Sequence, residues 1–325
     1  MTSYVPPEPG PLDAEAEAAV RRVGAAVRPL QRPSLYPAGV AVIEWATIAL
    51  LFGSTWLVTH PAWWLLVAAA IAARQHGLLI LMHEGVHGRF HRVRWINDLV
   101  SDVLCAWPLL TTTRAYRTSH LRHHAALHSP SDPDWIARHD RPEWRYPKPI
   151  GALLLHLLFI AAGGGVWAFF RTNRRFAQVD ADLLRARAPW PLQVARWVVA
   201  AAIPVALLTA GEGVRLLALW VVPFLTFLPM YVRIRVIAEH YGLTAGDALD
   251  ASRDWSAGWL IDWWLVPWNI RLHRCHHLFP GIPFQRLPEV SAALRAEPAL
   301  AGRAGVDDLR ATVRALTAEA GTSDA

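Results

Sequence analysis

The chain has 325 residues, 54% of them hydrophobic and 18% charged, and its apolar runs reach the roughly 20 residues a helix needs to cross a bilayer, which excludes an ordinary soluble domain. Only Cys105 and Cys275 occur, which excludes a disulfide framework and any four-cysteine iron–sulfur or rubredoxin-like module within the chain. The formal charge of +6 and a pI near 9.9 either serve membrane orientation alone or give a basic face that steers acidic partners; no nucleic-acid partner is expected.

Residues 1–30 lack a basic start followed by a short apolar core. They read instead as a polar helix over about Asp13 to Arg28, so no cleavable signal is expected. Apolar stretches follow at about Val40–Val58, Pro61–Leu81, Ile150–Phe170, Val194–Ala210 and Val214–Tyr231. Arg21, Arg22, Arg28 and Arg32 precede the first stretch, Arg89, Arg92 and Arg94 follow the second, and Thr59-His60-Pro61 between them carries no base; the pair forms a hairpin with both ends cytoplasmic. The fourth and fifth stretches repeat this pattern, with Arg171, Arg174 and Arg175 before, the turn Gly211-Glu212-Gly213 between, and Arg233 and Arg235 after. The third is flanked by bases at both ends, enters through Pro147 and Pro149 and contains Gly163-Gly164-Gly165, so it reads as re-entrant or interfacial. The expected fold is all-α and integral to the membrane: four transmembrane helices, a re-entrant or interfacial segment, and a cytosolic helical cap. Residues 1–38 form a cytosolic N-terminal segment, 39–286 the membrane domain, and 287–325 a cytosolic tail of one or two amphipathic helices with a disordered end.

The nine histidines that fall in clusters would sit in that cap: His83 and His87 in HEGVH, His120, His123 and His124 in HLRHH, His240 in AEHYG, and His273, His276 and His277 in HRCHH. Residues at i, i+3 and i+4 share a helix face, so each cluster aims its imidazoles at one spot. Neutral imidazole suits iron, copper or zinc, and nine ligands exceed one zinc's four, which implies a dinuclear site. HEGVH alone would fit a zinc protease with Glu84 as base, but that leaves seven histidines unexplained. His60, His76, His91, His128, His139 and His156 read as ordinary surface or core residues. At 1.5 Å per residue, His83 lies about 33 Å from Pro61 and His240 about 39 Å from Val214, so both helices would emerge from the bilayer to deliver ligands. Trp95 to Leu110 is an amphipathic candidate for the interface. Trp255, Trp259, Trp263 and Trp264 recur at helical spacing, either flat on the membrane or packed against neighbouring helices.

HEGVHG followed by Trp95-Ile96-Asn97-Asp98, then HLRHHA with Ser131 to Trp135, then AEH, then Trp268 to Pro280, resemble the membrane fatty acid desaturase and hydroxylase superfamily over about Leu81–Pro288. The resemblance implies two non-haem irons held by the nine histidines, dioxygen as co-substrate, and oxidation of an unactivated C–H bond on a lipid-like chain. Asn269 matches an asparagine common at the start of the third box, which either contacts iron through a water or caps a helix. Asp132 and Asp134 match the acidic tail of the second box. They either orient ligating imidazoles or pair with arginine, and the same choice holds for Glu84 and Glu239. The three-residue spacing in HEGVH departs from acyl-CoA delta-9 enzymes and is closer to acyl-lipid desaturases, hydroxylases and ketolases. No fused electron-transfer domain is expected, so electrons would come from an external donor such as ferredoxin with its reductase.

The leading expectation is dioxygen-dependent desaturation of a fatty acyl chain carried on lipid, acyl carrier or CoA, with the metal site on the cytoplasmic face. A lipid or terpenoid hydroxylase or ketolase on the same scaffold is the nearest alternative. A non-catalytic membrane metal or haem carrier would place its histidines within the spans.

Overall fold

A computed structural model describes residues 8–167, 189–243 and 246–317. Arg171, Arg174 and Arg175, and the tail beyond 317, lie outside the described residues. The described residues are mostly helical, and among them the only named sheet pairs two two-residue strands, β1 (Trp255–Ser256) and β2 (Asp307–Asp308), in parallel.

Two compact units result, each discontinuous in sequence. One comprises Pro33–Ser119 and Phe159–Val232; the other comprises Met1–Arg32, His120–Leu158 and Arg233–Ala325. The first, the membrane unit, is built on α2 (Tyr36–Leu57) and α3 (Pro61–Val86). His60 separates them: its Nδ1 accepts from Ala62 N, and Pro61 takes the first helical position, where its missing N–H costs nothing. The inner helix, α3, is buried from Leu78 through Val86 except for a partly covered Leu79, and it stacks Val67, Ala68 and Ile71 on Leu219. Inside this apolar contact Arg74 Nη1 meets both oxygens of Glu44 at 3.2 Å, and each residue is 1% exposed. Opposite charges at such depth tie two helices together because neither can reach water.

The amphipathic stretch after HEGVH is helical, as α4 (Arg94–Ser101) continuing through a π turn at Asp102–Ala106. Its buried face includes Asn97, Ser101 and Cys105, and Trp95 and Leu99 are exposed. Gly85 makes the crossing of α3 and α4 possible, since a Cβ there would overlap Ser101 Oγ. α5 (Thr113–Ala125) carries the second box and α6 (Pro133–Arg138) the acidic tail behind it.

Among the described residues, five helices are long and apolar enough to cross a membrane: α2, α3, α7 (Ile150–Trp167), α8 (Trp190–Thr209) and α9 (Gly213–His240). Charge flanks alone count four, with α7 set aside. The prolines that argue against α7 precede it and do not interrupt it, and of the glycine triplet only Gly163 leaves helical geometry, at φ 100°. α8 has no buried residue, as suits a helix surrounded by lipid.

In the second unit, α1 (Ala14–Val27) begins where Asp13 accepts from Ala16 N and buries Ala16, Ala19, Val23 and Val27 on one face. α10 (Trp259–Leu265), α11 (His273–Leu278), α12 (Leu287–Ala296) and α13 (Leu309–Thr317) complete the unit, the last two lying beyond residue 286. Trp255 departs from the expected helical tryptophan stripe. It lies in β1, buried, because Gly258 at φ 92° breaks the backbone before α10 begins; Trp259, Leu260 and Trp263 remain exposed.

Candidate metal centre

The second and third boxes and His240 converge within one unit. Along α5, His120 and His124 are one turn apart and their Nε2 atoms are 2.9 Å from each other; His276 of α11 brings its Nε2 to 3.0 Å from that of His124. A second convergence centres on His273, whose Nε2 stands 2.9 Å from His240 Nε2 and 3.1 Å from His277 Nε2. His123 joins it: the ligand atoms of His123, His240 and His277 lie within 4.8 Å of one another. Cluster membership thus alternates along each box, with His123 and His124 serving different clusters.

The donor set fits divalent metal. A hydrogen bond needs one protonated and one bare nitrogen, so His273 Nε2 facing two other ring nitrogens is a poor hydrogen-bond arrangement. Two nitrogens each about 2.1 Å from a shared ion, at roughly right angles, stand about 3 Å apart, which matches the observed separations. Burial first, and then the neighbouring imidazoles, push His273 and His277 well below the ordinary histidine range, so both keep a neutral ring with a lone pair to give.

His123 is oriented from behind. Both oxygens of buried Asp132 lie 3.0 Å from its Nδ1, leaving Nε2 for the cluster. Burial alone would lower His123 and raise Asp132, but the bond between them reverses both directions. Asp132 also accepts from the backbone N–H of His128 and of Asp134, so α6 and the loop after α5 share one carboxylate. Asp134 takes the other role foreseen for these acids and pairs with Arg138 at 3.0 Å. Glu239 pairs with Arg235 at 2.9 Å and reaches 3.5 Å from His273 Nε2. Replacing Asp132 with Ala should weaken metal binding by about 10–100-fold, read by metal titration of the purified protein; unchanged affinity would show that packing alone orients His123.

In the membrane unit, His83 and His87 close α3 with ring centroids 4.9 Å apart. Burial, then the charges of Arg89 and Arg117, lower His87 to about 3. Arg117 clamps this helix end, donating to the carbonyls of Gly85 and Val86 and to Asp98. Glu84 is buried, 3.9 Å from His83 Nδ1.

Asn269 forms no helix cap. At φ 55° it donates from Nδ2 to the Phe284 carbonyl at 3.3 Å, and the residue before α11, Leu272, makes no side-chain capping bond. Asp254 supplies that bond instead, accepting from Arg274 N and Cys275 Sγ. Arg253 fills the corresponding role after α9, donating to the carbonyls of Ala238, Tyr241 and Gly242. His128 is a buried core residue. Its Nε2 lies 2.9 Å from the Ala251 carbonyl and its ring 5.5 Å from His240. Neither Asp254, Arg253 nor His128 belongs to a spaced motif.

Bilayer-length helices together with convergent, neutral, buried imidazoles define an integral membrane protein with histidine clusters of a metal-binding kind. The chain belongs to the fatty acid desaturase family, whose model matches residues 55–304, and it is therefore an oxidoreductase. It is 28% identical to dihydrorhizobitoxine desaturase of Bradyrhizobium elkanii, covering 80% of this chain and 74% of that protein. It is 23% identical to the chloroplastic omega-3 fatty acid desaturase of Glycine max, covering 91% and 67%. Identity to the temperature-sensitive sn-2 acyl-lipid omega-3 desaturase (ferredoxin) of Arabidopsis thaliana is 23%, covering 91% and 70%.

Proposed function

We propose that this chain inserts a double bond into a fatty acyl chain at a di-iron centre. The nine clustered histidines, His83, His87, His120, His123, His124, His240, His273, His276 and His277, would hold the two irons, with Asn269 contributing through water. The observation that carries this reading is the meeting of ring nitrogens from α5, α9 and α11 at 2.9–3.1 Å. Iron, when bound, supplies with dioxygen the oxidising power to break an unactivated C–H bond. One dioxygen, two electrons and two protons are consumed as two hydrogens leave the chain, and both oxygen atoms end in water. Asp132 fixes the direction of His123, Arg117 and Arg253 hold the ends of the ligand-bearing helices, and the buried rings exclude water from the reacting carbon.

The even number of crossings expected from charge flanks gains support from the same geometry. His124 and His276 stand side by side, so residues 125–272 leave and return to one side of the membrane; α7, α8 and α9 are three candidates, and one of them does not cross. Bases at both ends single out α7, and the metal then faces the cytoplasm. Electrons reach it from a soluble donor, of the kind named for the ferredoxin-dependent relative.

In a host supplying ferredoxin and its reductase, mass spectrometry of total lipids should reveal a species about two mass units lighter than its precursor; one about sixteen heavier would make the chain a hydroxylase. A lipid profile identical to that of an empty-vector control, with iron bound and donor present, would overturn acyl oxidation.

A further inference from the structure

A buried cation normally has a carboxylate partner, because removing a charge from water costs several kcal/mol that a counter-ion must offset. Two cations in the unit that holds α5, α9 and α11 lack one, and neither belongs to a histidine cluster. Arg233 is 6% exposed; its guanidinium lies 3.4 Å from the centre of the Trp144 ring, and its hydrogen bond goes to the Glu143 backbone carbonyl at 3.4 Å. Lys148, half-buried, donates to the same carbonyl at 3.1 Å and stands 4.3 Å over the Tyr146 ring. Neither has an ion-pair partner among the described residues. Arg138 also lies over Trp144, at 4.5 Å, but Asp134 neutralises it. The carboxylate of Glu143 is 3.9 Å from Arg141. Trp144 Nε1 is buried without a hydrogen-bond partner, which adds an unused donor beside two cations that attract the Glu143 carboxylate only from a distance. Burial, reinforced by Arg233, lowers the Lys148 ammonium to about 8, the response of a cation held beside another cation.

The placement of these groups says what they are for. Arg233 stands about 30 Å along α9 from Gly213, at the boundary of the hydrocarbon core, and Lys148 just precedes α7, at the same kind of boundary. Along α9, Arg233 is about 10 Å from His240. We propose that Arg233, Lys148 and Trp144 Nε1 form an anion site at the membrane–water boundary, and that it takes the carboxylate or phosphate head group of the acyl substrate. Two guanidinium nitrogens, an ammonium and an indole N–H match the several acceptor oxygens of such a group. With the anion fixed there, the methylenes that follow can lie along α9 towards the imidazoles, so head-group capture sets which carbon is presented. Naming the ligand as substrate rests on the desaturase reading; the anion site itself does not.

The test is binding by the iron-loaded, full-length protein in lipid nanodiscs, measured with oleate, dioleoyl phosphatidic acid, dioleoyl phosphatidylcholine and inorganic phosphate. Oleate or phosphatidic acid should bind at least about tenfold more tightly than phosphatidylcholine, and whichever of the two binds identifies the head group as carboxylate or phosphate. Arg233→Gln and Lys148→Gln should each weaken that binding about tenfold at unchanged iron content, Arg233→Lys should restore part of it, and Arg286→Gln, at an exposed ion pair, should leave it unaltered. Lys148 is partly exposed, so its variant keeps the test alive if Arg233→Gln fails to fold. Anion binding unaffected by both glutamine substitutions, or binding of inorganic phosphate without either amphiphile, would overturn the proposal. Because the readout needs no turnover, a protein that binds the anion yet fails to oxidise lipid would retain the anion site and lose only the desaturase reading.

Discussion

Alanine at position 276 should leave the purified protein with about one iron per chain or fewer and lower product formation below about one-hundredth of the parent's. His276 is 1% exposed and its Nε2 meets that of His124 at 3.0 Å, so truncation removes a ligand atom from a place where water has no ready route to replace it. The matched control is His60→Ser. His60 does no more than cap α3 through Ala62 N, a bond that serine can also make, so iron and product should both persist. Full iron occupancy in the His276→Ala protein would remove this residue from the metal site.

Breaking the buried pair between α2 and α3 should be the largest stability effect outside the histidine clusters. Arg74→Met leaves the Glu44 carboxylate buried without its arginine counter-ion, at a cost of about 3–5 kcal/mol. The double variant Arg74→Met/Glu44→Leu removes both charges and should recover most of that loss, because the desolvation penalty disappears with the attraction. Thermal unfolding in one fixed detergent would compare the three proteins. A single variant as stable as the parent would mean that the glutamate is already neutral or solvated.

What the sequence disclosed follows from the range of the interactions involved. His120, His123 and His124 announce a shared helix face through their spacing alone, and α5 realises it. The stems of α3 and α9 were legible because length and hydropathy act within one element. Asp132 was recognisable as an orienting acid only as one of two readings, since its choice of His123 over an arginine depends on the turn after α5. Arg253 and Asp254 carry no signal in the sequence because their partners are set by tertiary packing, and His128 read only as a surface or core residue because its partner, Ala251, lies far along the chain. Trp255 was misjudged for a local reason: a helical period of tryptophans continues across Gly258, and the backbone does not.

Arg274, between two histidines of the third box, donates from Nη1 to the carbonyls of Arg303 and Gly305, and Arg253, at the end of α9, pairs with Asp307 at 3.0 Å. Residues 303–307 are therefore built into the housing of residues made well before them. On the ribosome, α5 and α9 emerge well ahead of these anchors, and chain elongation takes roughly a tenth of a second per residue. These bonds form only after residues 303–307 have left the exit tunnel. A chain cut short before residue 303 would lack them, and Arg253 and Arg274 would each lose partners beside the histidine clusters.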